Sequence, residues 1–420
     1  MTAAASSLSS AYPHDSRVNG LGHLEIGGCD LVDVAAEFGT PAYVVAEDDL
    51  RQRARAFVGA LREHHGDGEV LFASKAFPAT AVYRTFAEEG LACDVASGGE
   101  LHLALSAGFA PERIHMHGNA KSEAELRAAN QTGVGCVVLD SFDDLARLEA
   151  VAERRQPVLV RVAPGIDADT HAALHTGHAG SKFGFTLREA PEAIARAERA
   201  NNLELLGLHM HIGSQLFDLE PFRTGVAALS ALGDFGTYDL GGGVAATYSD
   251  DEQAPSADAW VQACAAAVHD FLGEGKRILL EPGRALVANA CVTLYAVQTV
   301  KRNATKWVAV DGGMSDNLRP MLYGARYESR LANRADATGG ERCAVAGKHC
   351  ESGDVLVPDA HLDDPRPGDL LVTPATGAYG YALANNYNGV PRPPVIFCRD
   401  GEARVVVRRE THDDLTARDL

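Results

Sequence analysis

The sequence predicts an α/β protein in which a parallel (β/α)8 barrel of the TIM type is joined to a second, mainly β domain. Short apolar runs alternate eight times with segments of helical periodicity between residues 69 and 283, and this repeat is typical of such a barrel. Beyond Glu281 the pattern changes to alternating β-branched stretches separated by turn residues, which favours a β-rich barrel or sandwich. We therefore predict a barrel over residues 46–285 and a β-rich domain formed by residues 20–45 and 286–420.

Each predicted element follows from its own pattern. Segments such as ATAVYRTFAEEG and SGGELHLALSAG have apolar residues three and four positions apart and end on glycine, as amphipathic helices do. The predicted barrel strands are EVLFASK (69–75), ACDVAS (92–97), RIHMHGN (113–119), CVVLD (136–140), PVLVRVAPG (157–165), ELLGLHMHIG (204–213), TYDLGGG (237–243) and RILLEPG (277–283). The β-rich stretches are CVTLYAVQTVKR, KWVAVDGG, DLLVTPAT and PVIFCRDGEARVVVRRE, together with a strand from the N-terminal segment.

Composition narrows the class of protein. The 420-residue chain is 46% hydrophobic and 23% charged, as soluble globular proteins are. A formal net charge of −19 argues against a nucleic-acid partner, because a phosphate backbone requires a basic surface. The opening MTAAASSLSS lacks the basic and apolar regions of a signal peptide, and no apolar run is long enough to span a membrane. We expect a cytoplasmic protein without a membrane segment that acts on a small molecule.

The eight cysteines are scattered along the chain. None forms a CxxC pair, which argues against a zinc ribbon or a redox dithiol, and we expect no metal site. Most are expected to be small buried apolar residues. Cys350, in the polar stretch GKHCESGD, is the exception because no apolar neighbours explain it as core.

Polar residues stand at the ends of the predicted barrel strands, where they meet at one mouth of the barrel. Lys75 ends an apolar run, and a buried lysine without a partner is costly; the alternative is a lysine that snorkels to the surface. For Asp94, Asn119 and Asp140 the alternative is capping of the following helix. The set is Lys75, Asp94, Asn119, Asp140, Arg161, His211, Gly241, Gly242, Gly243 and Glu281.

A lysine amine, a glycine triplet and a glutamate followed by Pro-Gly-Arg favour pyridoxal phosphate as cofactor. Lys75 can form a Schiff base with its aldehyde, and the N–H groups of Gly241, Gly242 and Gly243 can approach phosphate oxygens closely. We expect Glu281 to keep the pyridine nitrogen protonated. His211 would lie against the ring, Ser214 would donate to the phosphate, and Asp94 would also contact the cofactor. The alternatives are a glycine triplet that forms only a tight turn and a histidine that belongs to the core.

Motifs from about residue 22 to the C-terminus resemble, in order, those of the diaminopimelate decarboxylases, in the alanine racemase-like group of pyridoxal phosphate enzymes. HIGSQ, EPGR, CESGD and GAYG are the most specific of them. The others are FASKAF, CDVASGGEL, GNAKSEAEL, LDSFDDLARL, SKFGF, DLGGG, VDGGMSDNLRPMLYGA and GAYGYALANNYN.

This resemblance implies a role for each matching residue. It implies that Lys75 is the Schiff-base lysine, that His211 stacks on the cofactor, and that Tyr379 reaches the phosphate or the substrate. Gly243 and the segment Glu281, Pro282, Gly283 and Arg284 would bind phosphate and pyridine. Arg284, Arg319 and Tyr323 would hold the substrate carboxylates, and Cys350 and Glu351 would come from the partner subunit of a homodimer with shared active sites.

The reaction implied is decarboxylation of meso-2,6-diaminopimelate to L-lysine and CO2, the last step of lysine biosynthesis, with Cys350 as the acid that protonates the carbanion. A guanidinium suits a distal carboxylate, and a carboxylate such as Glu351 suits a distal ammonium. One alternative is a decarboxylase of ornithine, lysine or arginine, whose substrates need no Arg319 and Tyr323 pair. Another is a pyridoxal phosphate-binding protein without activity, against which the β-rich domain and CESGD count.

Overall fold

The computed structural model describes residues 8–166, 181–337 and 339–420. The chain divides into two compact units. The barrel unit comprises Arg51–Ala245 and Ala254–Leu286, and the β-rich unit comprises Met1–Leu50, Ala246–Gln253 and Val287–Leu420.

The elements of the described residues follow in chain order. The strands are β1 (Arg17–Val18), β2 (Leu24–Ile26), β3 (Cys29–Asp30), β4 (Ala42–Ala46), β5 (Gly68–Ala73), β6 (Ala92–Val95), β7 (Ile114–Met116), β8 (Cys136–Leu139), β9 (Gln156–Ala163), β10 (Phe185–Thr186), β11 (Leu203–Met210), β12 (Thr237–Asp239), β13 (Arg277–Leu280), β14 (Cys291–Arg302), β15 (Lys306–Val310), β16 (Arg330–Leu331), β17 (Glu341–Ala346), β18 (Val355–Leu362), β19 (Leu370–Thr373), β20 (Val395–Arg399) and β21 (Glu402–Val407). The helices are α1 (Leu31–Phe38), α2 (Glu47–His64), α3 (Thr80–Glu88), α4 (Gly98–Ala107), α5 (Glu123–Thr132), α6 (Phe142–Val151), α7 (Ala190–Arg199), α8 (Glu220–Ser230), α9 (Ala257–Leu272), α10 (Arg284–Val287), α11 (Arg319–Tyr323), α12 (Gly380–Leu383) and α13 (His412–Thr416). Within these ranges no helix has both the length and the apolar character that crossing a membrane requires.

The barrel unit contains the predicted closed ring of parallel strands. Its order is β9-β11-β12-β13-β5-β6-β7-β8, and β8 pairs with β9 to close the ring. All eight predicted strands are present, which confirms the predicted fold class. Each ends one to four residues before its predicted end, because the polar residues leave the sheet at the barrel mouth.

Apolar side chains fill the barrel interior below the mouth. One buried cluster consists of Leu71, Ala92, Cys136, Val138, Leu159 and Leu279, one or two from each of five strands. Burying an aliphatic side chain of this size stabilises a fold by about 1.5–3 kcal/mol. Toward their C-terminal ends the strands instead carry polar residues that line the cavity, such as Asp94, Arg161 and His209.

Serines cap the helices that follow three of these strands. The side chains of Ser97, Ser122 and Ser141 accept backbone N–H groups at the starts of α4, α5 and α6, as N-cap residues do. Helix capping by Asp94, Asn119 and Asp140 was the alternative to a functional role. That alternative is wrong, since the serines already occupy the cap positions.

The β-rich unit is built around a nine-stranded sheet. Its main path is β18-β17-β15-β14-β4-β20-β21, with β19 paired to β14 and β16. Strand β4 lies between β14 and β20, so the N-terminal segment supplies a central strand. The segment Ala246–Gln253, inside the predicted barrel range, belongs to this unit, where the Asn289 side chain donates to the carbonyl of Thr247 (2.6 Å).

The cysteines agree with their sequence interpretation. All eight are free; seven are buried, and Cys350 is exposed. Burial raises the pKa of thiols such as Cys93 and Cys136, which makes them poor nucleophiles. Cys350 is therefore the accessible thiol of the chain.

Candidate active site

The C-terminal ends of the barrel strands enclose a cavity of about 350 Å3, within the size range of small-molecule sites. Six of the predicted strand-end residues line it: Lys75, Asp94, Asn119, Arg161, His211 and Glu281. His117 and His209, which the sequence analysis did not single out, line it as well. The fold thus brings together residues that are up to 206 positions apart in the sequence.

Lys75 lies in a short 3-10 turn, Ser74–Ala76, that follows β5. The neighbours Ser74 and Ala76 are buried, whereas Lys75 is exposed and lines the cavity. A Cβ added to Gly283 would lie 3.0–3.3 Å from atoms of Ala73 and Ala76, so the absence of a side chain there lets the end of β13 approach the lysine turn. Lys75 reaches solvent through the cavity, which answers why an apolar strand ends on an ammonium group.

Two histidines flank the Glu281 carboxylate. His117 Nε2 lies 2.9 Å from Oε1, and His209 Nε2 lies 3.4 Å from Oε2. Burial opposes ionisation of Glu281, but the charge of His117 and the hydrogen bonds from both histidines outweigh it and hold the pKa of Glu281 well below its usual value. The carboxylate is therefore anionic, and its buried Oε1 has no well-aligned hydrogen-bond donor among the residues of the described ranges.

The two flanking histidines differ in charge. Burial lowers the pKa of His209 to about 4, so this ring is neutral near pH 7. Burial also opposes the charged form of His117, but Asp94 (3.8 Å away) and Glu281 outweigh it and raise its pKa. Burial in turn raises the pKa of Asp94 to about 6, partly offset by His117. The site therefore favours the cationic form of His117, which lies between two carboxyl groups.

His211 follows β11, and its Nδ1 accepts the backbone N–H of Gly242 (3.2 Å). An accepting Nδ1 carries a lone pair, so the ring proton of the neutral form is on Nε2. Burial, followed by the charges of Lys75 and Arg161, lowers the pKa of His211 well below its usual value. The imidazole is neutral and can pack on an aromatic ring without adding charge.

Close packing of the backbone requires glycine at all three positions of the triplet, whether or not a ligand is bound. A Cβ on Gly241, Gly242 or Gly243 would lie 2.4, 2.0 or 2.3 Å from a backbone oxygen. The N–H of Gly241 donates to Asp239 and that of Gly242 to His211. Within the described ranges, Gly243 is the member of the triplet whose N–H has no hydrogen-bond acceptor in the chain, so it is the N–H most available to a phosphate.

Further polar pairs lie at the same strand ends. Arg284 Nη2 donates to Ser214 Oγ (2.9 Å), which places a guanidinium and a hydroxyl together in the barrel unit. Arg161 Nη1 lies 3.5 Å from Asp140 Oδ1, and its guanidinium stacks 4.4 Å above the Phe183 ring. Asp140 thus acts on the cavity through Arg161, which lines it.

The other predicted residues belong to the β-rich unit. Arg319, at the start of α11, is 4% exposed; its Nη1 donates to Tyr327 Oη (2.5 Å) and its guanidinium lies 4.6 Å from the Tyr248 ring. Within the described ranges it forms no ion pair with a carboxylate. Tyr323 and Tyr379 are half-buried, and Cys350 and Glu351 are exposed.

Comparison with known proteins agrees with this geometry. Residues 47–288 match the family model "Pyridoxal-dependent decarboxylase, pyridoxal binding domain". Diaminopimelate decarboxylase of Actinosynnema pretiosum is 48% identical over 95% of this chain and 93% of that protein, and the Bacillus subtilis enzyme is 42% identical over 96% and 97%. The chain belongs to the diaminopimelate decarboxylase family. A crystal structure of diaminopimelate decarboxylase from M. jannaschii with L-lysine has a TM-score of 0.91 to this chain and 30% identity, and it covers 98% of this chain and 99% of its own.

The barrel cavity suits the cofactor of the pyridoxal-dependent decarboxylases. It offers the Lys75 amine to an aldehyde and the anionic Glu281 carboxylate to a protonated ring nitrogen. The N–H of Gly243 and the Ser214–Arg284 pair suit a phosphate. The residues present therefore fit pyridoxal phosphate.

A tripeptide that occurs twice in this chain could have indicated His117 and His209 from the sequence. His-Met-His occurs at residues 115–117 and again at 209–211, each time at the end of a barrel strand. Because side chains two apart in a strand share a face, His209 is expected on the face of His211. The repetition of His-Met-His at two strand ends, and not any single histidine, is the feature that predicts these two residues.

A larger cavity, about 500 Å3, lies in the β-rich unit. Its arginines are largely satisfied within the chain: Arg326 pairs with Asp359 (3.6 Å) and Arg334 with Asp369 (2.7 Å). None of the predicted site residues lines it. The chemistry is therefore assigned to the barrel cavity.

Proposed function

We propose that the protein catalyses the pyridoxal phosphate-dependent decarboxylation of meso-2,6-diaminopimelate to L-lysine and CO2. The observation that carries this proposal is Arg319, a buried guanidinium with two tyrosine neighbours and no carboxylate partner in the described ranges. A buried charge is stable only when it is paired, so this position favours a substrate with a second carboxylate. The names of the relatives support the same reaction.

The barrel residues have distinct tasks in this reaction. When bound, pyridoxal phosphate supplies the ring that accepts the electron pair of the breaking Cα–carboxylate bond. The Lys75 amine would hold the cofactor at its aldehyde and would give up that position to the substrate amine. Glu281, held anionic by His117 and His209, keeps a proton on the pyridine nitrogen. His211, a neutral imidazole, would pack against the cofactor ring.

Further residues hold the two charged ends of cofactor and substrate. Gly243 N–H, Ser214 and Arg284 bind the phosphate, with Tyr379 reaching the phosphate or the substrate. Arg319 and Tyr323, with Arg284, hold substrate carboxylates, and Glu351 holds the distal ammonium. Cys350 donates its thiol proton to the carbon that has lost CO2. These roles rest on charge and on the family membership.

Glu281→Gln is expected to retain the cofactor and to lower kcat about thirtyfold, a barrier increase of about 2 kcal/mol. The amide is isosteric with the carboxylate but does not hold the proton on the pyridine nitrogen. Cofactor content is measured by absorbance, and kcat by CO2 release, beside Glu252→Gln as a control outside the cavity. Unchanged turnover would show that Glu281 has no electronic role.

We also propose a homodimer in which Cys350 and Glu351 complete the site of the partner subunit. Both side chains are exposed, as residues that act on another chain must be before assembly. Mixing Lys75→Ala with Cys350→Ala subunits is then expected to restore part of the activity, because one of the two sites in the hybrid carries neither change. Activity and subunit exchange are measured on the same mixture; complete exchange without recovery contradicts a shared site.

The substrate assignment is tested by incubating the purified protein separately with meso-diaminopimelate, ornithine and lysine. CO2 and L-lysine from diaminopimelate alone are the expected products. Turnover of ornithine or lysine in preference would favour the first alternative, an enzyme of substrates without a distal carboxylate. Cofactor binding with no turnover of any of the three would favour a pyridoxal phosphate-binding protein without activity.

A cytoplasmic location without a nucleic-acid partner completes the proposal. None of the eight cysteines is in a disulfide, which is typical of proteins in reducing compartments. The net charge of −19 disfavours contact with a phosphate backbone.

A further inference from the structure

We infer that Asp354, His349 and Asn388 are positioning residues that lock the turn carrying Cys350 and Glu351. This turn, residues 350–353, lies between β17 and β18 and is called the CESG turn below. The inference deepens the proposed function, since it concerns how the proton donor Cys350 is held. It stands on geometry within the β-rich unit alone.

The buried side chain of Asp354, the residue after the CESG turn, accepts hydrogen bonds from residues next to the turn. Its Oδ2 accepts the backbone N–H of His349 (3.0 Å) and the Nδ1–H of the His349 ring (2.7 Å), and its Oδ1 accepts the N–H of Met314 (2.8 Å). The backbone adds two further bonds, from Gly347 N to Asp354 O (3.0 Å) and from Asp354 N to Glu351 O (3.1 Å). One buried carboxylate thus ties both ends of the turn together.

Two glycines leave room for this carboxylate. A Cβ on Gly313 would lie 2.6 and 2.7 Å from the two oxygens of Asp354, and a Cβ on Gly347 would lie 2.1 and 2.4 Å from them. Non-bonded atoms do not approach this closely, so neither glycine can be replaced by a residue with a side chain unless Asp354 moves. The carboxylate is seated in a space that these glycines create.

His349 is fixed in orientation and in tautomer. A carboxylate only accepts hydrogen bonds, so Nδ1 carries the proton toward Asp354. The ring stacks on Tyr387, with centroids 5.9 Å apart and planes at 21°. The side chain of His349 is fully buried, directly beside the exposed Cys350. Its backbone therefore has little freedom to move the thiol.

Asn388 provides a further hydrogen bond to the CESG turn. Its Oδ1 accepts the backbone N–H of Cys350 (2.9 Å). Its φ is +56°, a conformation that asparagine tolerates better than most residues other than glycine. Asparagine at this position thus combines the backbone conformation with the acceptor that fixes Cys350.

The result is a rigid base beneath an exposed tip. Cys350, Glu351, Ser352 and Gly353 are all exposed, whereas Asp354 and His349 beneath them are buried. Catalytic groups act efficiently when their supports fix them in advance, and a displacement of about 1 Å costs on the order of a hundredfold in rate. The buried carboxylate, the locked imidazole and Asn388 provide such support.

The test uses the full-length, cofactor-loaded protein and begins with Asn388→Gly, which keeps the positive φ but removes the acceptor. We expect kcat for diaminopimelate to fall about tenfold while KM changes less than about twofold. Asn388→Asp, which restores an acceptor, is expected to recover most of kcat. Asn386→Ala is the matched control, because its side chain bonds Glu410 and the carbonyl of Val390 instead of the turn.

A second readout does not depend on activity. Because the other seven cysteines are buried, iodoacetamide under native conditions labels Cys350 selectively, and peptide mass spectrometry gives its rate. Asn388→Gly and His349→Phe are expected to change this rate several-fold, while Asn386→Ala leaves it unchanged. His349→Phe retains the stacking on Tyr387 but loses the bond to Asp354.

Two outcomes overturn the inference. One is unchanged kcat and labelling in Asn388→Gly although Cys350→Ala loses activity; the proposed function then stands and only the positioning role falls. The other is equal losses in Asn388→Gly and Asn386→Ala, which would show a general effect on the fold. If the unmodified protein releases no CO2 from diaminopimelate, the proposed function fails, and the labelling rates still decide whether the turn is locked.

Discussion

Lys75→Ala is expected to lower CO2 release by about a thousandfold or more, because it removes the proposed Schiff-base amine. The amine is the only lysine nitrogen that lines the barrel cavity among the described residues. In the proposed reaction, alanine would remove both the nucleophile for the cofactor aldehyde and the amine that releases the product. The substitution leaves the interior packing intact, because the side chain is exposed in the cavity.

Chemical mapping gives an independent measurement. Borohydride reduction of the cofactor-loaded protein, followed by peptide mapping, should place the pyridoxyl group on Lys75. Lys301→Ala, at an exposed position on β14, is the control and should keep both the label and the activity. A label on another lysine of the unmodified protein would refute the assignment of Lys75.

The barrel and its mouth were predictable because the relevant signals are local. Apolar runs locate the strands, and because parallel barrel strands end at one mouth, the sequence alone predicts that Lys75 and Glu281 lie close together. The structure confirms this with both residues in one cavity. The strands were predicted to extend too far at their C-terminal ends. The sequence does not show at which residue the sheet hydrogen bonding stops and a turn, such as the one that contains Lys75, begins.

The sequence could not assign individual hydrogen bonds. The donors of Gly241 and Gly242 are used by Asp239 and His211, and no periodicity reveals that. The importance of His117 and His209 follows from their distances to Glu281. From the sequence alone, each single histidine would be interpreted as part of the core. Asp354 was part of the motif CESGD, but its role beneath Cys350 depends on the space left by Gly313 and Gly347.

Substrate choice is expected to depend on Arg319. The guanidinium is 4% exposed and contacts the Tyr327 hydroxyl and the Tyr248 ring. These neutral groups hold its position but leave its charge without an acidic counterpart in the described ranges. A substrate carboxylate would supply the counterpart, and truncating one partner of such a buried charge pair costs about 2–5 kcal/mol.

Arg319→Ala is therefore expected to reduce kcat/KM for meso-diaminopimelate about a hundredfold, close to 2.7 kcal/mol. Any trace activity toward lysine or ornithine should fall much less, because these substrates have no distal carboxylate. Arg326→Ala is the matched control: its side chain is 74% exposed and pairs with Asp359, and exposed pairs contribute little. Steady-state kinetics on all three substrates give the comparison. Equal losses on the three would mean that Arg319 serves the fold or the cofactor, and selectivity would then have to come from Arg284 or Glu351.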